Sequence, residues 1–253
     1  MGNFFTTFFY QPIFNLLIFI YENLAFNDIG VSIIILTLVI KGALWPLSKS
    51  SIKSQKALQD LQPKIKELKI KYKDDKVGLS QATMDMYKEN KVNPFSSCLP
   101  LLIQFPFLIA VFQVFRDGIN DKLDLVYSFI SSPETVNMIS LGFLDLSVRN
   151  IPLAVLAGLA QFWQSRMMVS KKPEIKSDGA KDENMAAIMS KQMMYFMPVI
   201  TIFIGISLPG GLTLYWFVFT LLTALQQYLA FKKKDDKNEV SKDQKIIEGE
   251  VVK

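Results

Sequence analysis

The chain has 253 residues, half of them hydrophobic, with 20 Phe, a single cysteine and no histidine. Several apolar stretches approach 20 residues, which places it among polytopic membrane proteins rather than soluble globular ones. Its net charge of +5 means little as a total, but the missing histidine removes Ser-His and Cys-His nucleophile pairs, HExxH metal sites and imidazole proton relays, and lone Cys98 excludes an internal disulfide and a thiol metal cluster.

Residues 1–28 contain no Lys or Arg, no small-residue cleavage site and no cysteine for lipid attachment. No cleavable signal is expected, and the N-terminus is expected to remain on the mature protein. The stretch Phe8–Phe26 is apolar but broken by Gln11, Pro12, Asn15, Glu22 and Asn23. Gln11–Leu24 therefore reads as an amphipathic helix in the membrane interface, with a sixth crossing as the competing reading.

Residues 29–48 form the first predicted span, Ile29–Leu47. Lys41 is its only charge, and at roughly 1.5 Å per residue it lies some 18 Å into a helix starting at Ile29. A cation at that depth costs on the order of 3 kcal/mol unless water or a partner compensates. Such a charge usually faces a cavity; the bland alternative is a lysine snorkelling toward the flank at Lys49.

Residues 49–94 are too polar for lipid. Leu58, Leu61, Ile65, Leu68 and Tyr72 recur every three or four positions, Asp74–Gly78 reads as a turn, and Leu79, Ala82, Met86 and Tyr87 mark a second face. The pattern predicts a cytoplasmic two-helix hairpin, with Pro63 kinking or restarting its first helix.

The second span falls in residues 95–116 (Ser97–Phe115), followed by an extracytoplasmic loop at 117–149. The third span falls in 150–169 (Ile151–Val169), and a cytoplasmic loop occupies 170–192. Residues 193–231 hold the fourth and fifth spans, Met193–Leu208 and Leu212–Phe231, joined by the turn Pro209-Gly210-Gly211. Seven of eleven methionines lie between Met167 and Met197, suited either to a surface accepting many apolar sequences or to filler between helices. The tail 232–253 is charged and lacks aromatics, so it is expected to be disordered; its lysines could touch anionic lipid or ribosomal RNA, or simply solubilise the chain.

Eleven lysines lie in residues 49–94, six Lys/Arg in 166–192 and seven in 232–253. That is 24 of 28 basic residues on one side of a five-span chain, which predicts an outside N-terminus and a cytoplasmic C-terminus.

Polar side chains recur inside the spans. Thr37 and Lys41 share one face of the first, and Ser48 continues roughly along it. Gln104 lies in the second, Gln161 and Gln164 in the third, and Thr213, Trp216, Thr220 and Thr223 in the fifth. In lipid such groups turn inward, as interhelical glue or as the wall of a hydrated groove. The spans contain no Asp or Glu to neutralise Lys41, so the charge reads as an open docking point for something polar or acidic that must cross.

At these residues the chain resembles the YidC/Oxa/Alb family of membrane protein insertases. The matching stretches are Ser32–Leu47 (SIIILTLVIKGALWPL), Leu61–Tyr72 (LQPKIKELKIKY), Tyr87–Phe107 (YKENKVNPFSSCLPLLIQFPF), Met194–Ile200 (MYFMPVI) and Leu208–Gln227 (LPGGLTLYWFVFTLLTALQQ). The resemblance implies an all-α polytopic fold in a bacterial plasma membrane: five transmembrane helices around a hydrophilic groove, an N-terminal interfacial helix and a cytoplasmic helical hairpin. It implies a groove open to the cytoplasm and lipid but closed outside, and a form without the large extracytoplasmic domain of many Gram-negative members. It further implies an insertase and chaperone, not an enzyme, that receives nascent membrane proteins from the ribosome, alone or with the Sec translocon, and needs no cofactor. Lys41, Thr37, Trp216, Gln104 and Gln161 are the substrate-groove residues it points to. Bacterial members usually carry arginine where this chain has Lys41, which keeps the charge but loses the planar fork. A solute transporter would favour inverted repeats, and an intramembrane enzyme would need a nucleophile, paired aspartates or a metal cluster; none is evident in the sequence.

Overall fold

The computed structural model describes residues 3–73, 75–93, 99–168 and 181–247. Asp74 of the predicted turn, Ser97 and Cys98 at the start of the second span, Val169, the loop residues 170–180 and the last six residues lie outside the described residues, as do the side chains of Met185, Met189 and Met193. Apart from a short antiparallel hairpin, β1 (Ile139–Ser140) with β2 (Leu144–Asp145), regular structure is helical. The chain is predominantly helical.

Helix α1 (Asn3–Phe5) runs through a π-helical turn, Thr6–Tyr10, into α2 (Gln11–Asn23). Pro12 directly follows the π-helical turn, so its missing N–H falls where the regular i→i−4 ladder is already interrupted. Ile13, Phe14, Leu17, Ile18, Ile20 and Tyr21 join a core shared with α3 (Ile29–Ala43) and α6 (Leu99–Arg116). This helix is therefore a packed member of the bundle on one side.

The first predicted span is broken. Helix α3 ends at Ala43, and α4 (Trp45–Lys71) leaves at 69° to it. Pro46 accounts for the break: it lacks an N–H, its ring opposes the Gly42 carbonyl, and it biases Trp45 away from helix. Lys41 thus occupies the last turn of a 15-residue rod instead of the middle of a longer one.

Helix α4 continues through Pro63 without restarting, and α5 (Lys76–Glu89) folds back on it. The predicted turn is shorter than the sequence suggested. Asp75 caps α5 by accepting from the Gly78 N–H at 2.8 Å, so Lys76, Val77 and Gly78 form the first helical turn. Leu61 and Ile65, on the face the sequence assigns to the seam, are buried. The start of α4 is also docked: Ile52 is buried, the Gln59 amide donates to the Met167 carbonyl at 3.1 Å, and Lys56 lies over the Phe231 ring.

Helices α7 (Ile151–Met168), α8 (Lys181–Ser207) and α9 (Gly210–Ile247) pack through small residues. A Cβ on Gly158 would collide with Ile202, and one on Gly205 would come within 3.0 Å of the Ala154 Cβ. Such close approach is how helices gain contact area in lipid. Helix α8 begins at Lys181, not near Met193. Helix α9 runs to Ile247, so residues 232–247 are helical where the sequence suggested disorder. No Gly or Pro interrupts 212–247 to stop the helix. Among the described residues, Gly210–Lys232 alone is a single helix long and apolar enough to cross a membrane; α3 with α4 qualifies only as a bent pair, and Gln104–Arg116 and Met194–Ser207 are shorter apolar segments.

Loops close one end of the bundle. Asn15 accepts from the Tyr127 N–H at 2.6 Å and donates to the Leu125 carbonyl, and the Tyr21 hydroxyl accepts from the Asn137 N–H. The Gly210 and Gly211 N–H groups donate to the Val148 and Leu146 carbonyls, tying the α8–α9 turn to the same loop. Lys41 lies toward the opposite end.

Candidate functional site

A polar cavity of about 80 Å³ lies where α3, α4, α6, α7 and α9 converge. Its described lining is Lys41, Leu44, Leu47, Ser48, Ile52, Gln55, Gln104, Gln164, Phe219, Thr223 and Gln227. That volume accommodates several water molecules, since one needs only about 10–15 Å³. The walls carry amides, hydroxyls and one cation, and no described lining residue is acidic.

Lys41 sets the character of the site. It is 5% exposed, and its Nζ donates to Thr223 Oγ1 at 2.8 Å. The ammonium also lies 4.3 Å from the centroid of the Phe219 ring, a cation–π distance. The Thr223 hydroxyl donates its own proton to the Phe219 carbonyl at 2.7 Å, so it can only accept from the lysine. Among the described residues no carboxylate pairs with Lys41. The ammonium keeps donor capacity toward the cavity, and the break at Leu44 places it beside the docked start of α4.

The glutamines divide the remaining polar work. Gln104 donates to the Tyr215 hydroxyl, and Gln227 donates to Gln55 Oε1 at 3.0 Å. The side-chain oxygens of Gln104 and Gln227 are buried with no hydrogen-bond partner among the described residues. Buried acceptors of this kind are costly unless water or a ligand reaches them. The two that line the cavity add acceptors to a site whose one charge is a donor.

Two of the five residues singled out from the sequence, Lys41 and Gln104, meet in this cavity. The other three are displaced from it in a common direction. Thr37 is fully buried one turn before Lys41, its hydroxyl spent on the Ile33 carbonyl at 2.6 Å. Trp216 and Gln161 are half-buried, each three residues before a lining residue, Phe219 and Gln164 respectively. All three stand about one helical turn toward the loop-closed end. Thr213 serves the α8–α9 turn instead, donating to the Gly205 and Pro209 carbonyls. Phe219, Gln227 and Gln55 were not anticipated. Gln227 could have been, as it lies four residues after Thr223; Gln55 could not, because it sits beyond the break.

The family model described as 60Kd inner membrane protein matches residues 19–238. The chain belongs to this family. Relatives in the 60Kd inner membrane protein family carry the name membrane protein insertase YidC. The one from Fusobacterium nucleatum is 36% identical over 208 residues, covering 82% of this chain and 88% of its own length. That from Clostridium tetani is 35% identical, covering 85% and 86%. That from Tolumonas auensis is 34% identical over 90% of this chain, which spans 37% of that longer relative. Within the family, this chain therefore matches nearly all of some members and little more than a third of others.

Proposed function

We propose that this protein inserts other proteins into a bacterial plasma membrane by giving short hydrophilic segments a polar, positively charged berth inside the bilayer. The carrying observation is Lys41: a buried ammonium without an acidic partner among the described residues, facing a cavity edged with glutamines. An ionised carboxylate entering hydrocarbon loses its hydration at a cost of tens of kcal/mol in the idealised limit. A fixed cation and amide donors replace part of that hydration. The step is one of solvation and needs no bond-making side chain. The names of the family's relatives support insertion as the activity.

In this reading α3, α6, α7, the second half of α8 and the first half of α9 are the five crossings, and the cavity is a groove reached from the cytoplasm. The chain's basic residues support the orientation: Arg116, Lys122 and Arg149 belong to the loop-closed end, while the lysines of α4 and α5 belong to the Lys41 end. The N-terminus is then outside and the C-terminus cytoplasmic. Nascent membrane proteins are the clients, delivered by ribosomes with or without the Sec translocon, and the lysine-rich α4–α5 hairpin is the surface they meet first. Thr37, Trp216 and Gln161 extend the client path one turn past the cavity.

The test is charge reversal. Lys41→Glu should reduce insertion of clients with acidic translocated tails by roughly tenfold, equivalent to about 1.4 kcal/mol, whereas Lys41→Arg should insert them normally. Insertion is read by protease protection in vesicles holding the purified protein. Unchanged insertion by Lys41→Glu removes the charge from the mechanism.

A further inference from the structure

At the end of α3 remote from Lys41, two tight turns sit side by side with large apolar side chains at their tips. The first, Phe26-Asn27-Asp28, precedes the helix; Phe26 and Asn27 have φ of 52° and 59°, and Phe26 is 96% exposed. The second is the β1–β2 connection, where Leu141 and Gly142 have φ of 52° and 79°. There Leu141 is 66% and Phe143 is 77% exposed. A bulky residue with positive φ is rare and persists only when its surroundings enforce it. Here both strained positions carry apolar side chains that touch little of the protein.

Asp28 holds the two turns together. Its Oδ1 accepts from the Val31 N–H at 3.0 Å, capping α3, and from the Ser140 hydroxyl at 2.6 Å. Its Oδ2 accepts from the Leu141 N–H at 2.6 Å. Gly30 lets the hairpin seat against the helix, because a Cβ there would strike the Ser140 side chain. The acidic side chains nearby are engaged locally: Asp145 with Ser147, and Glu22 with Asn27. Neither residues 1–28 nor residues 133–148 contain Lys or Arg.

We propose that Phe26, Leu141 and Phe143 form an anchor that inserts into the headgroup–acyl boundary of the membrane at this end of α3, with Asp28 as its positioning residue. Lipid is the occupant because Ile34, Leu38 and Val39, further along the same helix, are also exposed large apolar residues, which the five-crossing reading on which this inference rests turns toward the bilayer. Phe and Leu side chains at the membrane surface bury their apolar area a few ångströms below the headgroups, at that boundary. The three tips are uncharged and Arg149 lies beyond the hairpin, so the anchor works by apolar burial and requires neither anionic lipid nor low salt. Its function is to fix the height of the short α3 rod, and with it the depth of Lys41.

The test places an environment-sensitive fluorophore on single cysteines in a Cys98→Ser background, with the full chain in phosphatidylcholine vesicles carrying doxyl-labelled lipids. Probes at Phe26→Cys and Phe143→Cys should be quenched by shallow doxyl groups, to an extent unchanged by high salt or by added anionic lipid. Leu38→Cys should respond to deep doxyl groups, and Val77→Cys, on the cytoplasmic hairpin, to none. Asp28→Asn keeps one acceptor oxygen for the cap but presents an N–H to Leu141; it should return the 143 probe to the unquenched level of Val77→Cys. Probes at 26 and 143 that behave like Val77→Cys in the unaltered Asp28 background overturn the proposal and leave the patch to a protein partner. Quenching that requires anionic lipid overturns it too. These readings do not depend on whether the vesicles insert any client.

Discussion

Thr223 is the residue on which the lysine's pose turns. Its hydroxyl proton is committed to the Phe219 carbonyl, so both ends of the contact are fixed before a client arrives. Thr223→Val removes the acceptor while preserving shape, leaving the ammonium to the ring and the cavity. Insertion of acidic-tailed clients should then fall by up to about tenfold, since water recovers part of the about 1.5–3 kcal/mol that a hydrogen bond to a charged group contributes. Thr223→Ser restores the oxygen and should restore activity. Equal loss in both variants means packing, not the hydroxyl, matters there. Gln104 and Gln227 act differently, since their oxygens are the free groups. Their replacement by leucine should spare acidic clients and slow those with neutral polar segments. At this scale the sequence was informative where chemistry is rare: one lysine in an apolar run names itself. It was less informative about Phe219, because an aromatic residue in a membrane helix is indistinguishable from packing until a cation is seen over its ring.

The elements are held in place by close approaches that leave no slack. Gly211, at the start of α9, has no room for a Cβ beside the Phe115 ring. Gly211→Ala should therefore destabilise the protein by about 1–3 kcal/mol, and Phe115→Leu should recover part of that in the double variant. Additive losses, followed by thermal unfolding in detergent, would separate the two sites. Asp28 makes a comparable prediction with a pH sign. Burial alone would raise its pKa, but the Leu141 N–H, the Ser140 hydroxyl and the Val31 and Gly30 N–H groups outweigh that and hold it below the ordinary carboxylate value. A depressed acid stabilises the fold above its unfolded pKa of about 3.9 and loses that contribution as pH falls through the folded value. The Tm gap between the protein and Asp28→Ala should be full at neutral pH and close below about pH 4. Helix positions were legible from hydropathy and periodicity, as α7 and the α4–α5 pair illustrate. The break at Leu44 was written in Gly42 and Pro46, yet the apolar run across it concealed it. The docking of α4 onto α7 and α9 had no local signal, because it joins residues more than 100 positions apart.

At the scale of the molecule, the rod that carries Lys41 is short. Helix α3 has 15 residues, about 22 Å at 1.5 Å per residue, before the chain bends away. A typical hydrocarbon core is about 30 Å thick. Short apolar rods meet such a bilayer by drawing its surfaces together, at a cost that grows with each ångström of mismatch. Any thinning is therefore expected where the short α3 rod faces lipid, on the helix that carries Lys41. A polar client segment then has less hydrocarbon to cross, and the ammonium lies nearer water than its count from Ile29 implies. The consequence is measurable without altering the protein. Insertion into vesicles of short-chain phosphatidylcholine should be fastest, and it should fall as acyl chains lengthen and the cost of thinning rises. The handicap of Lys41→Glu should grow with chain length, because a thicker barrier leaves more desolvation for the charge to offset. A rate that ignores chain length, in the protein and the variant alike, would assign the whole effect to the cavity and none to the bilayer around it.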